Sequence, residues 1–290
     1  MISSYLNLLR AKQWIKNGFL FLPLLFDQEL TNLNAIITVG VAFFAFSLFA
    51  STIYIWNDYK DIEKDRQHPK KKFRPMAAGE IKASTGLVVM GISFSLAVFI
   101  SLILLNYQFL ILALGYLVLN FFYSIKLKQI PILDISVVSV GYVIRVFAGA
   151  LVVSIEPSAW IIVMTFLLAL FIALAKRRDD VLLFEESGTK LRAAIDGYNT
   201  QFLNSAMAIM ASVVIVAYLM YSISEDVVNR FGDKLYISVI FVILGILRYL
   251  QVSLVEKNSG SPTDLVYEDR FLQVVVLGWI VSVILIIYWF

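Results

Sequence analysis

The 290-residue chain contains no cysteine and only one histidine, His68. Without thiols there can be no disulfide framework, thiolate zinc site, iron–sulfur cluster or cysteine nucleophile. A lone histidine likewise excludes a multi-histidine metal centre and a His–His relay. Charge is scarce too: Asp, Glu, Lys and Arg make up 16% of the chain, whereas a soluble globule carries about 25%. That shortage excludes a soluble globular enzyme, a disordered chain and a nucleic-acid binder dominated by basic residues, so nucleic acid is not an expected partner. What the chain has instead is apolar surface. Hydrophobic residues account for 60% and the mean hydropathy is +0.83, which is the composition of a polytopic membrane protein with membrane lipids as its surroundings. The net charge of +3 carries little meaning as a total, because in such a protein the placement of charge matters.

Apolar runs of about 20 residues match a hydrocarbon core roughly 30 Å thick at 1.5 Å rise per helical residue. Nine are expected, at 14–30, 34–56, 83–105, 107–125, 132–154, 158–176, 202–223, 234–254 and 271–289. The first is interrupted by Lys16, Asn17 and Pro23; it is not read as a signal peptide, since it ends in Asp27-Gln28-Glu29 with no small-residue cleavage site. With no internal repeat or low-complexity linker, the expectation is an all-α transmembrane bundle forming a single integral domain over 1–290, and a homo-oligomer is compatible with it. Nine spans put the N-terminus and alternate loops on one side. That side collects 21 of the 24 Lys and Arg residues, leaving Arg230 and Lys234 opposite and Arg145 inside the fifth span. By the positive-inside rule the N-terminus and this basic face are cytoplasmic, the C-terminus is outside, and the protein sits in the plasma membrane.

Acidic residues gather at the cytoplasmic end of the second span. In Asn57-Asp58-Tyr59-Lys60-Asp61-Ile62-Glu63-Lys64-Asp65 the aspartates are three and four apart, which on a continuing helix places them along one face. Such a face either offsets neighbouring lysines in solvent or binds a cation, and all-oxygen ligands suit Mg²⁺, which is held by one or two carboxylates together with substrate phosphates. A basic stretch follows at once, Arg66 and His68 and then Lys70, Lys71, Lys72 and Arg74 between Pro69 and Pro75. Acids for a metal beside bases for phosphate are what a polyanionic substrate requires, although acidic lipid headgroups also attract Lys70 to Lys72. The other cytoplasmic loops bring Tyr123-Ser124-Ile125-Lys126 and Lys176-Arg177-Arg178-Asp179-Asp180. Inside the fifth span an arginine is costly and needs a partner or a wet cavity. Asp134 precedes Arg145 by eleven residues, three helical turns, so the two are expected to line one polar cavity or to form a structural ion pair.

The nine spans, N-D-x-x-D-x-x-x-D after the second and Tyr-Ser-x-x-Leu-Lys after the fourth resemble the UbiA superfamily of intramembrane prenyltransferases. The resemblance implies a helical bundle around a cavity open to lipid, with Mg²⁺–diphosphate on Asn57, Asp58, Asp61 and Asp65. A second acidic motif, D-x-x-x-D, is missing after the sixth span, where Lys176-Arg177-Arg178 stands instead. That departure is similar to the branch typified by decaprenyl-phosphate phosphoribosyltransferase, as are Arg10-x-Lys12-Gln13-Trp14-x-Lys16-Asn17 and Asp65-Arg66-x-His68-Pro69. The branch implies phosphoribosyl pyrophosphate and a polyprenyl phosphate as substrates. On that reading Asp58, Asp61 and Asp65 hold the metal; Arg66, Lys70, Arg74 and Lys126 face the leaving group; Lys176 and Arg177 take a phosphate. Lys12 and Lys16 guide the acceptor, and Asn17, Asn57, His68, Tyr123, Asp134, Arg145 and Asp180 line the substrate site. Two other readings remain open from sequence: a prenyltransferase acting on a small acceptor, and a transporter of an anionic substrate, for which matching broken helices would be expected.

Overall fold

The computed structural model describes residues 2–67, 71–188, 193–256 and 262–289. His68 and Lys70 fall outside the described residues. All regular structure among the described residues is helical. Helix α1 (Ile2–Leu8) leads into a 3-10 helix (Ala11–Phe21) and α2 (Leu22–Phe26); then come α3 (Leu33–Lys60), α4 (Ile62–Gln67), α5 (Ala83–Leu104), α6 (Tyr107–Ile125), α7 (Leu133–Val152) and α8 (Ala159–Ser187). The chain continues through α9 (Thr200–Ser222), α10 (Glu225–Phe231), α11 (Val239–Leu254), α12 (Pro262–Glu268) and α13 (Arg270–Trp289).

Among the described residues eight helices are long and apolar enough to cross a membrane, and they coincide with the second to ninth expected spans. The first expected span is helical but not one α-helix. Its 3-10 segment climbs faster per residue than an α-helix, so with α2 it rises about 30 Å. That matches a hydrocarbon core although the α-helical part is only five residues long. Helix starts follow capping chemistry. Asn32 Oδ1 accepts from the Ala35 N–H at 3.2 Å, Ser158 Oγ from Ile161 at 3.3 Å and Asn199 Oδ1 from Phe202 at 2.7 Å, each satisfying a donor that the first turn leaves orphaned. Helix α8 closes on Gly188 in the left-handed conformation (φ 65°). Several serines within the membrane helices return their hydroxyls to the carbonyl four residues back, as Ser47 does to Phe43, Ser101 to Ala97 and Ser139 to Ile135, which satisfies these hydroxyls inside the helix.

The backbone clusters into two compact units, Met1–Ile125 with Ile144–Glu156, and Lys126–Val143 with Pro157–Phe290. In the first, the 3-10 segment docks along α3 through a matched pair of stripes. Trp14 Nε1 donates to Ser51 Oγ at 3.1 Å, Asn17 Nδ2 to Ser47 Oγ at 2.8 Å, and Arg10 reaches Tyr54 and Asp58. Positions 10, 14, 17 and 47, 51, 54, 58 each step by three or four, the repeat of a helical face. The segment's other side meets α7. There Arg145 Nε donates to Asn17 Oδ1 at 2.7 Å, and a Cβ built on Gly149 would lie 1.9 Å from the Leu20 carbonyl oxygen. Phe46, Phe49, Phe109, Ala113, Tyr116 and Ala148 complete this core. On α5, exposed Val88, Ile92, Phe99 and Ile103 share one face, which an apolar solvent would cover.

In the second unit Phe171, Ala175, Leu203, Met207, Ile246 and Tyr249 are buried together between α8, α9 and α11. Arg178 ties these three helices from one end: its Nε donates to Asn204 Oδ1 at 2.6 Å and its Nη1 to the Ser253 carbonyl at 2.7 Å. In the same unit the Pro131–Ile132 turn rests on Gly197, where a Cβ would come within 2.2 Å of Pro131 Cγ. Ile132 adopts φ 67°, a rare conformation for a β-branched residue. Its N–H is held by the Tyr198 hydroxyl at 2.6 Å.

Candidate active site

The acidic stretch closes α3. Asp58 lies in its last turn, the helix pauses at Asp61 and resumes as α4, which carries Asp65. The pause is slight, since Asp61 N–H still donates to the Asn57 carbonyl and Asp65 N–H to that of Asp61. Asp58 and Asp65 are only 3% and 4% exposed, a costly place for carboxylates unless they are paired. The pairing comes from the loop beyond. Arg74 Nη1 donates to Asp58 Oδ1 at 2.9 Å and to Asp65 Oδ2 at 2.6 Å, while Arg10 reaches the same Asp58 oxygen from the N-terminal side. The loop is fixed beneath by Met76 and Ile81, which are buried with Leu8 and Ile55. Burial pushes the Asp65 carboxyl above the usual carboxylate range, against the pull of Arg74.

The expected single acidic face is thus drawn together in part: Asp58 and Asp65 share one guanidinium nitrogen, whereas Asp61 sits half-buried at the joint. Among the described residues no three acidic or histidine side chains converge as a ready-made metal cluster. Two buried carboxylates on one cation are nevertheless hard-oxygen donors in the number that Mg²⁺ uses when water and phosphate complete its shell. The residues present therefore fit that ion. Asn57 lies beside the pair and accepts from the buried Ser124 hydroxyl, which fixes the Tyr123-Ser124 end of α6 to α3. Arg66 donates to the Ala77 carbonyl at 3.3 Å and to Glu63 at 2.8 Å, so in this state it braces the loop. Lys12 and Lys126 are exposed, and Lys16, Tyr123 and Lys176 half-buried.

The structure gives three of the expected site residues, Asp134, Arg145 and Arg177, firm partners. Asp134 and Arg145 do not form a pair: eleven residues of continuous α7 separate them by about 16 Å. Each has its own partners. Arg145, 4% exposed, donates to Asn17 Oδ1 and, at 3.1 Å, to the Tyr116 hydroxyl, and its guanidinium lies over the Phe46 and Tyr116 rings at 5.2 and 5.0 Å. Cation–π contact and neutral acceptors stabilise the charge within the apolar core, so Arg145 and Asn17 hold the 3-10 segment in place. Asp134, wholly buried, accepts from Tyr198 Oη at 2.6 Å and forms an ion pair with Arg177, Nε to Oδ2 at 2.7 Å. Arg177, expected as a phosphate ligand, is 2% exposed and its guanidinium spans Asp134 and Asp180. Burial and the Asp134 carboxylate raise the Tyr198 hydroxyl further above its ordinary value, keeping it a donor.

Sequence reasoning passed over Arg10 as a site residue and missed Tyr198 altogether. The first had a signal, its helical spacing with Trp14 and Asn17; the second had none, because its role depends on a turn 66 residues away. Also missed was the pair between Arg248 and Asp269. Nε and Nη2 of Arg248 donate to one Asp269 oxygen at 3.0 and 2.6 Å, and Nη1 donates to Glu256 at 2.8 Å. The Arg248 hydrogen bonds hold the Asp269 carboxyl below the usual carboxylate range. A depressed carboxyl adds stability above its unfolded pKa and loses that contribution as pH falls through the folded value. Asp269→Asn can still accept the Leu272 N–H that Asp269 Oδ1 accepts at 2.8 Å. The melting temperature of purified Asp269→Asn should therefore lie below the parent's at neutral pH and converge with it under acid; a gap independent of pH would contradict the ion pair.

A model of the UbiA prenyltransferase family matches residues 27–275. The chain belongs to the UbiA prenyltransferase family. It is accordingly an enzyme, a transferase that crosses the membrane several times. Among curated proteins, this UbiA member is 32% identical over 285 residues to decaprenyl-phosphate phosphoribosyltransferase of Corynebacterium glutamicum, with 97% of this chain and 85% of the relative covered. To the protein of that name from Mycobacterium tuberculosis it is 31% identical, covering 98% and 94%. Among solved structures, a UbiA homologue from Archaeoglobus fulgidus bound to DMAPP and Mg²⁺ superposes with a TM-score of 0.69 over 99% of this chain and all of that one, at 16% identity. At that identity the likeness establishes the UbiA fold.

Proposed function

We propose that this UbiA-family enzyme transfers 5-phosphoribosyl from phosphoribosyl pyrophosphate to a polyprenyl phosphate of decaprenyl type and releases pyrophosphate. The observation that carries the reading is the near full-length likeness to two proteins named for that activity. Lys176, standing where a second acidic motif would lie, supports it, because the donor carries a 5-phosphate besides its diphosphate and needs more cationic partners than a prenyl diphosphate does. The family match runs through both compact units, so 1–290 is taken as one functional domain. With 21 of 24 basic side chains on one side, that face is assigned to the cytoplasm of a plasma-membrane protein, and the C-terminus to the outside.

Asp58, Asp61 and Asp65 would hold Mg²⁺ on the pyrophosphate, where it supplies charge neutralisation for the leaving group. Asn57 orients that group, and Arg66, Lys70, Arg74 and Lys126 donate to its oxygens. Lys176 receives the 5-phosphate or the lipid phosphate. Lys12 and Lys16 steer the acceptor towards the membrane surface. Asp180, and Asp134 with Tyr198 bonded to it, keep Arg177 fixed next to Lys176 in the chain. An oxygen of the lipid phosphate, already ionised at pH 7, attacks ribose C1. The C1–O bond to pyrophosphate breaks with its electron pair leaving on pyrophosphate. No general base is needed, and the enzyme contributes positioning and charge stabilisation of the oxocarbenium-like state. The test is a donor panel with Mg²⁺ and polyprenyl phosphate. Pyrophosphate release is expected with phosphoribosyl pyrophosphate; release only with prenyl diphosphates and a small acceptor would replace this reading by that of a prenyltransferase.

A further inference from the structure

We infer that Arg10 is a second guanidinium of the pyrophosphate site, parked on Asp58 while the site is free of ligand and transferred to pyrophosphate oxygens when a divalent cation takes the carboxylate. The inference rests on the metal–pyrophosphate reading of Asp58. It adds a residue that lies outside the acidic stretch and the basic loop after it.

The backbone is bent to deliver this side chain. Arg10 has φ 52° and ψ 47°, the left-handed region that residues other than glycine rarely occupy, at the joint between α1 and the 3-10 segment. The joint is fastened on both sides: Ser51 Oγ donates to the Leu9 carbonyl at 2.7 Å and accepts from Trp14 Nε1 at 3.1 Å. A strained conformation held by its surroundings suits a functional position. Here it aims the guanidinium along the α3 stripe, over the Tyr54 ring at 5.0 Å and onto Asp58.

Charge supplies the second argument. Asp58 and Asp65 meet Arg10 and Arg74 in a group of four that is neutral as it stands. A divalent cation entering on the carboxylates would leave two positive charges in excess, so it is favoured only together with a polyanion that accepts the displaced arginines. Pyrophosphate has the charge and the oxygens to do so, and a guanidinium fork matches phosphate. Both guanidiniums are placed for the exchange, since the Arg10 and Arg74 side chains are 24% and 26% exposed while Asp58 is 3% exposed. Tyr54 gives Arg10 a cation–π surface on which to swing rather than a second carboxylate to break from.

The exchange predicts shifts of opposite sign. Mn²⁺, which shares the oxygen-rich octahedral preference of Mg²⁺, can be titrated into the full-length protein in detergent and followed by the loss of its free-ion EPR signal. Pyrophosphate affinity is then measured at saturating Mn²⁺. Removing one competing charge-assisted contact in Arg10→Gln should tighten Mn²⁺ alone by about tenfold and weaken pyrophosphate by about tenfold. Arg10→Lys, which keeps the charge but not the fork, should move both values less and in the same directions; it carries the test if Arg10→Gln does not fold. Parallel weakening of both ligands, or an unchanged pyrophosphate affinity, would overturn the inference and leave Arg10 as a structural clamp. Absence of Mn²⁺ binding in the parent protein would instead overturn the metal-site reading on which it rests.

Discussion

Asp58→Asn is expected to lower turnover by about a thousandfold, the scale of losing a key electrostatic contact to developing charge, while the protein stays folded. Asp58 is where the site's interactions converge, because one oxygen receives both Arg10 and Arg74. Neutralising it removes a hard ligand for the cation that screens the departing pyrophosphate, and it also releases Arg10 and one of the two contacts of Arg74. The fold should survive, since Arg74 keeps its 2.6 Å bond to Asp65 and both arginines are open enough to solvent to remain charged. Purified variant and parent are compared by gel filtration, melting temperature and pyrophosphate release. A folded variant with parental turnover would remove Asp58 from the site.

Gly149→Ala is expected to produce the largest loss of stability of any conservative change in the first unit. The added Cβ would lie 1.9 Å from the Leu20 carbonyl oxygen, 2.7 Å from its carbon and 2.8 Å from its Cα. These are backbone atoms and cannot rotate away, so the 3-10 segment itself has to lift off α7. Overpacking in a core commonly costs about 1–3 kcal/mol, and a backbone clash belongs at or beyond the upper end. Lifting the segment would also stretch the Asn17 bonds to Arg145 and Ser47, uncovering a buried cation. The expected result is a large drop in melting temperature or the loss of folded protein in the detergent extract. Gly115→Ala, where nothing lies within 4 Å, is the control and should match the parent. Equal melting of all three proteins would show that the segment does not pack on α7 as described.

The membrane helices were legible in the sequence because apolar length alone specifies them: in lipid a chain must satisfy its backbone internally. The first span was legible as apolar but not as 3-10, since its geometry depends on docking against α3 and α7 rather than on composition. The Asp58–Asp65 stretch could be read for the same reason that it has a role, as carboxylates spaced by helical turns beside a basic loop. Which cations would meet them could not be read, because Arg10 lies 48 residues before Asp58 and Arg74 lies 16 after it. Polar residues inside apolar runs misled most. Asn17 and Arg145 look like substrate ligands when each is taken alone; the structure spends them on one another, on Ser47 and on aromatic faces. Arg177 is the converse case, a basic residue at a helix end whose partners Asp134 and Tyr198 come from other elements. Single-chain spacing cannot reveal that a charge is already neutralised.

The most direct measurement follows two labels from one donor. Phosphoribosyl pyrophosphate labelled in the ribose and, separately, in the β-phosphate is incubated with the purified enzyme, Mg²⁺ and polyprenyl phosphate, then partitioned between organic solvent and water. Ribose label moving into the organic phase while the β-phosphate label remains in water as pyrophosphate is the predicted result. Both labels remaining in water, while a prenyl diphosphate does transfer its prenyl group to a small acceptor, would contradict it.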